Sequence, residues 1–207
     1  MKNTIVLAAV AGIASAAAAQ SGSLTLVSSV DTIDSTASTS FTVSVYGDAD
    51  FGTHIAGGAF SLANAGGAGI VADMAWANEA WGAGGLNDRG DGGEGNYDGV
   101  VFGQIIIPAF GLLPSPDSAL GDAPVLIGTF TVNIVAGSEG LIDWSTGADG
   151  VSPFVLEIYN GDDQSSTSLL NGDFQGHGRS MVNVVVPAPS SMALLGLGGI
   201  VAGRRRR

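Results

Sequence analysis

Phe41-Thr42-Val43-Ser44-Val45-Tyr46 and Thr129-Phe130-Thr131-Val132-Asn133-Ile134-Val135 are the stretches that decide the fold. In an extended chain the first puts Phe41, Val43 and Val45 on one side and Thr42, Ser44 and Tyr46 on the other. The second puts Phe130, Val132 and Ile134 inward and Thr129, Thr131 and Asn133 outward. A period of two over β-branched and aromatic residues marks a strand with one face on a core and the other in water. Working outward, shorter runs of the same kind occupy residues 24–28, 59–63, 100–107, 141–144, 154–159 and 181–186, with a weaker one at 70–74. Between them stand turn formers: Asp98-Gly99, Asp149-Gly150, Asn160-Gly161 and Asn171-Gly172 tolerate positive φ, and Pro108, Pro114, Pro116 and Pro124 interrupt any strand. Residues 72–81 have room for one or two helical turns. The expectation is an all-β, two-sheet β-sandwich or jelly roll of eight or nine strands across residues 21–185, long enough to bury its own core.

Charge is distributed unevenly. The chain of 207 residues carries 19 Asp plus Glu and seven Lys plus Arg, a formal net charge of −12. Five of the seven cations are terminal: Lys2 and Arg204, Arg205, Arg206 and Arg207. Residues 21–186 hold all 19 carboxylates against Arg89 and Arg179 alone, a net −17. A body this acidic has no footprint for nucleic acid, whose phosphates need Lys and Arg. With no Cys in the chain, disulfides, thiolate nucleophiles and thiolate metal sites are excluded. With no Lys in the body, Schiff-base chemistry is excluded there as well.

The two ends read as addresses. Lys2, the apolar run 5–14 and Ala17-Ala18-Ala19 are the charged start, apolar centre and small-residue cleavage site of a secretory signal peptide at residues 1–20, to be removed by signal peptidase. At the other end, Val186-Pro187-Ala188-Pro189 precedes an apolar Gly/Leu-rich stretch and the four terminal arginines. As a helix, residues 190–203 extend about 21 Å, short of the roughly 30 Å hydrocarbon core. Arginine snorkelling and local thinning allow that helix to hold the membrane transiently, with the arginines cytoplasmic and the body outside.

Residues 186–207 resemble the PEP-CTERM sorting signal of bacterial exosortase substrates, with Ala188 where the name-giving motif carries Glu. The resemblance implies handling by exosortase, a membrane transpeptidase-like protease, loss of the tail, and release or attachment in the cell envelope or extracellular matrix. In the body, the succession of residues 40–45, 57–62 and 124–132 resembles cohesin-type jelly-roll modules, which implies a protein-binding or envelope role.

Candidate sites are few. Residues 82–103 contain nine glycines, and within them Asp88, Asp91, Glu94 and Asp98 offer the hard oxygen ligands that Ca²⁺ prefers; a solvated acidic loop is the plainer reading, since the spacing is not that of an EF-hand. Arg89-Gly90-Asp91 spells an adhesion tripeptide short enough to recur by chance. Trp76, Trp81 and Tyr97 are candidates for a sugar-stacking platform, with core packing as the alternative, whereas Trp144 lies on a candidate strand and belongs to the core. His54 and His177 have no nucleophile elbow or metal-binding helix beside them. No catalytic residues are assigned. The expected function is that of an exported, non-enzymatic envelope or matrix protein; the alternatives are a glycan- or protein-binding module assisted by Ca²⁺, and a secreted hydrolase.

Overall fold

A computed structural model describes residues 22–49, 53–79, 88–103, 124–152, 154–160, 165–170 and 174–188. The expected signal helix and the apolar tail helix lie outside them. Within the described residues the chain is all-β, with twelve strands and no helix: β1 Gly22–Ser28, β2 Thr32–Asp34, β3 Ser40–Ala49, β4 Thr53–Asn64, β5 Val71–Asn78, β6 Asp91–Gly93, β7 Asn96–Gly103, β8 Val125–Ile134, β9 Gly140–Gly147, β10 Phe154–Asn160, β11 Ser165–Leu170 and β12 Arg179–Val185. Every expected strand has a counterpart. The additional ones are β2, β6 and β11, which are short or poor in apolar residues. Residues 72–81 are not helical where described: β5 runs through 71–78, because Met74 and Trp76 alternate inward beside β8.

The strands form two sheets. One has the order β1-β3-β8-β5; the other runs β11-β10-β4-β9-β12-β2, with the β6–β7 hairpin also joined to β4. Strand β4 is the pivot of the larger sheet. Gly57 and Gly58 pair with both β10 and β7, and Leu62 pairs with both β7 and β9. Since a strand has two edges, β10 and β9 must share one of them end to end, and β7 takes the other. The chain enters along β1 in the small sheet and crosses to β2 in the large one, where β2 lies parallel to the last strand, β12.

Alternation builds the core as expected. Phe41, Val43 and Val45 from β3 and Phe130, Val132 and Ile134 from β8 are all buried. Ile127 is buried too, although it is three residues from Phe130, because the β3–β8 register shifts between Val45 and Tyr46 and the extra residue resets the alternation. Across the sandwich Phe60 of β4 meets Phe130 of β8 edge-on at 6.4 Å and Trp76 of β5 at 5.8 Å, while Phe102 of β7 packs beside it in its own sheet at 6.0 Å. Trp144, fully buried as expected, packs at 6.0 Å from Phe41 and donates its indole N–H to Gly95 O at 2.7 Å.

Gly128 lies in this core because the indole of Trp76 occupies the space that a β-carbon would need, with Ala77 O beside it. Gly128→Ala should therefore lower stability by about 1–3 kcal/mol, the usual range for overpacking, read as a lower urea midpoint with an unchanged slope.

Candidate functional site

The glycine-rich acidic segment is a hairpin rather than an open loop where it is described. Gly90, Gly93 and Gly95 adopt positive φ, as does Glu94 at 55°, and they fold β6 back onto β7. Asp98-Gly99 lies inside β7 and not at a turn. A β-carbon at Gly99 would meet the Arg89 guanidinium, which would have to shift to make room.

The structure does not gather Asp88, Asp91, Glu94 and Asp98 into one oxygen cage. Among the described residues no group of three or more acidic or histidine side chains is placed to hold a metal ion. Two of the four carboxylates, Asp88 and Asp91, have local work instead. Asp88 accepts from Gly90 N at 2.9 Å and from the Tyr97 hydroxyl at 2.8 Å. Asp91 accepts from Gly93 N at 2.8 Å and from Met74 N at 3.1 Å, so it caps an amide on the edge strand β5 of the opposite sheet. An unpaired strand edge invites association with another chain, and a carboxylate seated on it prevents that.

The platform expected of Trp76, Trp81 and Tyr97 is not formed by the two members that are described; Trp81 lies outside the described residues. Tyr97 is buried, its ring 5.0 Å from Phe130 and its hydroxyl on Asp88. Burial and the neighbouring Asp88 carboxylate push its phenol well above the usual tyrosine value. Trp76 is partly buried, 4.6 Å from Phe130, with its N–H donated to Asn78 Oδ1 at 2.6 Å. Both rings turn inward because β5 and β7 each place them on the core face.

Arg89 is the charged centre of this region, and the tripeptide it begins is not free. Its guanidinium reaches Asp149 Oδ2 at 3.1 Å, Asp98 O at 2.8 Å and, by a short contact, Asp149 O. Asp149 has a 1 % exposed side chain and also accepts from Val151 N at 2.9 Å and Ser152 N at 2.6 Å. One arginine thus ties the hairpin to the β9–β10 turn. Sequence spacing of sixty residues gave no signal of the pairing.

His177 lies against the Phe174 ring at 4.8 Å, with Thr146 Oγ1 3.2 Å from Nδ1. Thr146 Oγ1 also accepts from Gly178 N at 2.9 Å, so one hydroxyl joins the imidazole to the start of β12. Burial lowers the imidazole below the ordinary histidine value.

At the C-terminal end of β12 the fold closes on Ser35, which is fully buried. Ser35 N donates to Val185 O at 3.0 Å, and its hydroxyl donates to Ser138 O at 2.7 Å. Val186, Pro187 and Ala188 follow directly and are exposed. Pro189 and Arg204, Arg205, Arg206 and Arg207 lie outside the described residues.

Residues 185–207 match the PEP-CTERM protein-sorting motif. The motif implies an exported protein processed by exosortase, and it begins on the residue that ends the last strand. The sandwich is similar to the crystal structure of the seventh ScaB type I cohesin from Pseudobacteroides cellulosolvens, with a TM-score of 0.52 and 13% identity, over 81% of this chain and 96% of that one. At that identity the likeness is one of fold. No curated protein matches the chain.

Two outcomes are expected. Arg89→Met should cost about 3 kcal/mol, the lower part of the range for breaking a buried pair, because it leaves the Asp149 carboxylate buried without its cation while Arg89 itself is partly exposed; chemical denaturation reads this loss. Because the folded state lowers the His177 pKa, the unfolded chain takes up that proton first as pH falls. The His177 contribution is therefore complete above the ordinary histidine value of about 6.5 and declines below it. His177→Gln should flatten the thermal midpoint across that window relative to the unsubstituted protein.

Proposed function

We propose that the chain is an exported envelope or extracellular-matrix protein without catalytic activity, delivered by a signal peptide, held briefly in the membrane by its C-terminal helix, and released from it by exosortase. One observation carries this reading: the PEP-CTERM motif starts at residue 185, where β12 ends, so the sorting signal can be removed without disturbing the fold. The acidic body agrees with it. Two cations against 19 carboxylates keep the released domain soluble by self-repulsion.

A second reading, a protein-binding module, is favoured by the cohesin-like sandwich. Its ligand is more readily a protein than a glycan, since the Tyr97 ring is buried and Trp76 packs onto Phe130 instead of standing beside it as an open platform.

Mass spectrometry of the protein released by producing cells tests the main reading. The expected chain begins after residue 19 or 20 and ends C-terminal to Val185, lacking the arginines. Replacing Arg204, Arg205, Arg206 and Arg207 by Gln should block this trimming and leave the circular dichroism of the body unchanged. Release of the intact tail from unsubstituted cells would refute the proposal.

A further inference from the structure

The described strand β12 ends at Val185, and only residues 186–189 separate it from the apolar stretch that begins near Ser190. Four residues span at most about 14 Å when fully extended. The headgroup layer on each side of the hydrocarbon is about 5–8 Å thick. While the tail is inserted, the end of the sandwich from which it leaves is therefore confined to the headgroup zone or just above it, whatever path those four residues take.

That end is built from three turns that touch one another around the exit. Residues 35–39, Ser-Thr-Ala-Ser-Thr, meet residues 135–139, Val-Ala-Gly-Ser-Glu, through Gly137 N to Ser35 O at 3.3 Å and Ser35 Oγ to Ser138 O at 2.7 Å. Residues 65–70, Ala-Gly-Gly-Ala-Gly-Ile, join the second through Val135 N to Ile70 O at 2.8 Å. Ser35 then holds Val185. Across these turns and residues 186–188 the only charge is Glu139, although the body carries −17. Asp34, Asp73 and Glu94 flank the surface, and Asp73, level with Asn133 near the end of β8, accepts from the Asn133 amide at 2.6 Å. Asp34 is turned onto Thr36, whose amide and hydroxyl lie 2.8 and 2.6 Å from it, and Glu94 occupies the tip of the neighbouring hairpin. Ala37, Ala68, Val135, Ala136 and Val186 are exposed. An acidic body brought within about two Debye lengths of an anionic surface, roughly 8 Å each at physiological salt, is repelled by whatever charge it presents. Small neutral side chains are what such an approach requires.

We propose that this end of the sandwich, made by turns 35–39, 65–70 and 135–139, is a bilayer-facing surface on which the protein stands before its tail is removed. The proposal rests on the membrane-held precursor described above. The body then points its opposite end, with the buried Arg89–Asp149 pair and the exposed Val151, away from the lipid, because β9 runs about 25 Å from Gly140 to Gly147 between them.

The absence of cysteine makes the test direct. Single variants Ala37→Cys, Ala68→Cys, Ala136→Cys and Val151→Cys of the full chain, labelled with an environment-sensitive fluorophore, are reconstituted into vesicles of phosphatidylcholine and phosphatidylglycerol. The expected result is a blue shift and a several-fold rise in emission at positions 37, 68 and 136, and none at 151. A triple Ala37→Glu, Ala68→Glu, Ala136→Glu variant should lower vesicle-bound protein several-fold at low salt and recover at high salt. Bound protein with equal emission at all four positions, or a response at 151, overturns the proposal while sparing the membrane-held precursor. A response at 37, 68 and 136 that needs co-reconstituted exosortase overturns it in favour of docking on that enzyme. Failure of the full chain to bind vesicles overturns both.

Discussion

Phe60 and Phe130 meeting across the two sheets is the contact on which the remainder of the structure depends. A chain without disulfides, with nineteen carboxylates and few cations, must draw its stability from apolar burial. The inward faces of β4 and β8 supply that burial at one point, where Trp76, Tyr97 and Phe102 also converge. The demand for aromatic surface here explains why rings that a glycan site would expose are turned inward. It also explains the glycine at position 128, which makes room for the Trp76 indole in a strand otherwise rich in β-branched residues.

Charge is arranged around that core by the same logic. Carboxylates serve the backbone, as Asp88 and Asp91 do in the hairpin and Asp34 does at the β2 turn. Thr36 holds the Asp34 carboxyl below its usual value. The deeply buried Asp149 has the one cation of the hairpin, Arg89, fixed on it. The C-terminal end follows a different rule, with small neutral turns surrounding the point where the fold hands over to the sorting motif. Fold and address share Val185, so the last strand cannot slide without moving the signal that follows it.

Much of this was legible in the residues. Strands β3 and β8 could be read directly, because strict alternation over Val, Ile, Phe and Thr admits no helical reading. The tail was legible for a similar reason: prolines, an apolar run and a cationic end are local features. Strand β11, Ser165–Leu170, was not, since its first four residues are Ser and Thr and it owes its place to pairing with β10. The β6–β7 hairpin was hidden by glycine and acid, which look like open loop until Gly90, Gly93 and Gly95 take up positive φ. The candidate site fared worse than the fold. Four nearby carboxylates in sequence say nothing of whether their oxygens point at one another, and here Asp88 and Asp91 are each engaged by amides. Likewise, Trp76 and Tyr97 required knowledge of which face of β5 and β7 looks inward.

The last strand of the sandwich reaches Val185, and the sorting motif begins there. Hydrogen–deuterium exchange on the full chain and on the processed protein tests it most directly. The amides of Ser35, bonded to Val185 O, and Asn183, bonded to Asp31 O, should be protected alongside those of β3 and β8 in both forms. Rapid exchange of Ser35 and Asn183 in the processed protein, with β3 and β8 still protected, would contradict it, since the end of β12 would then depend on the tail.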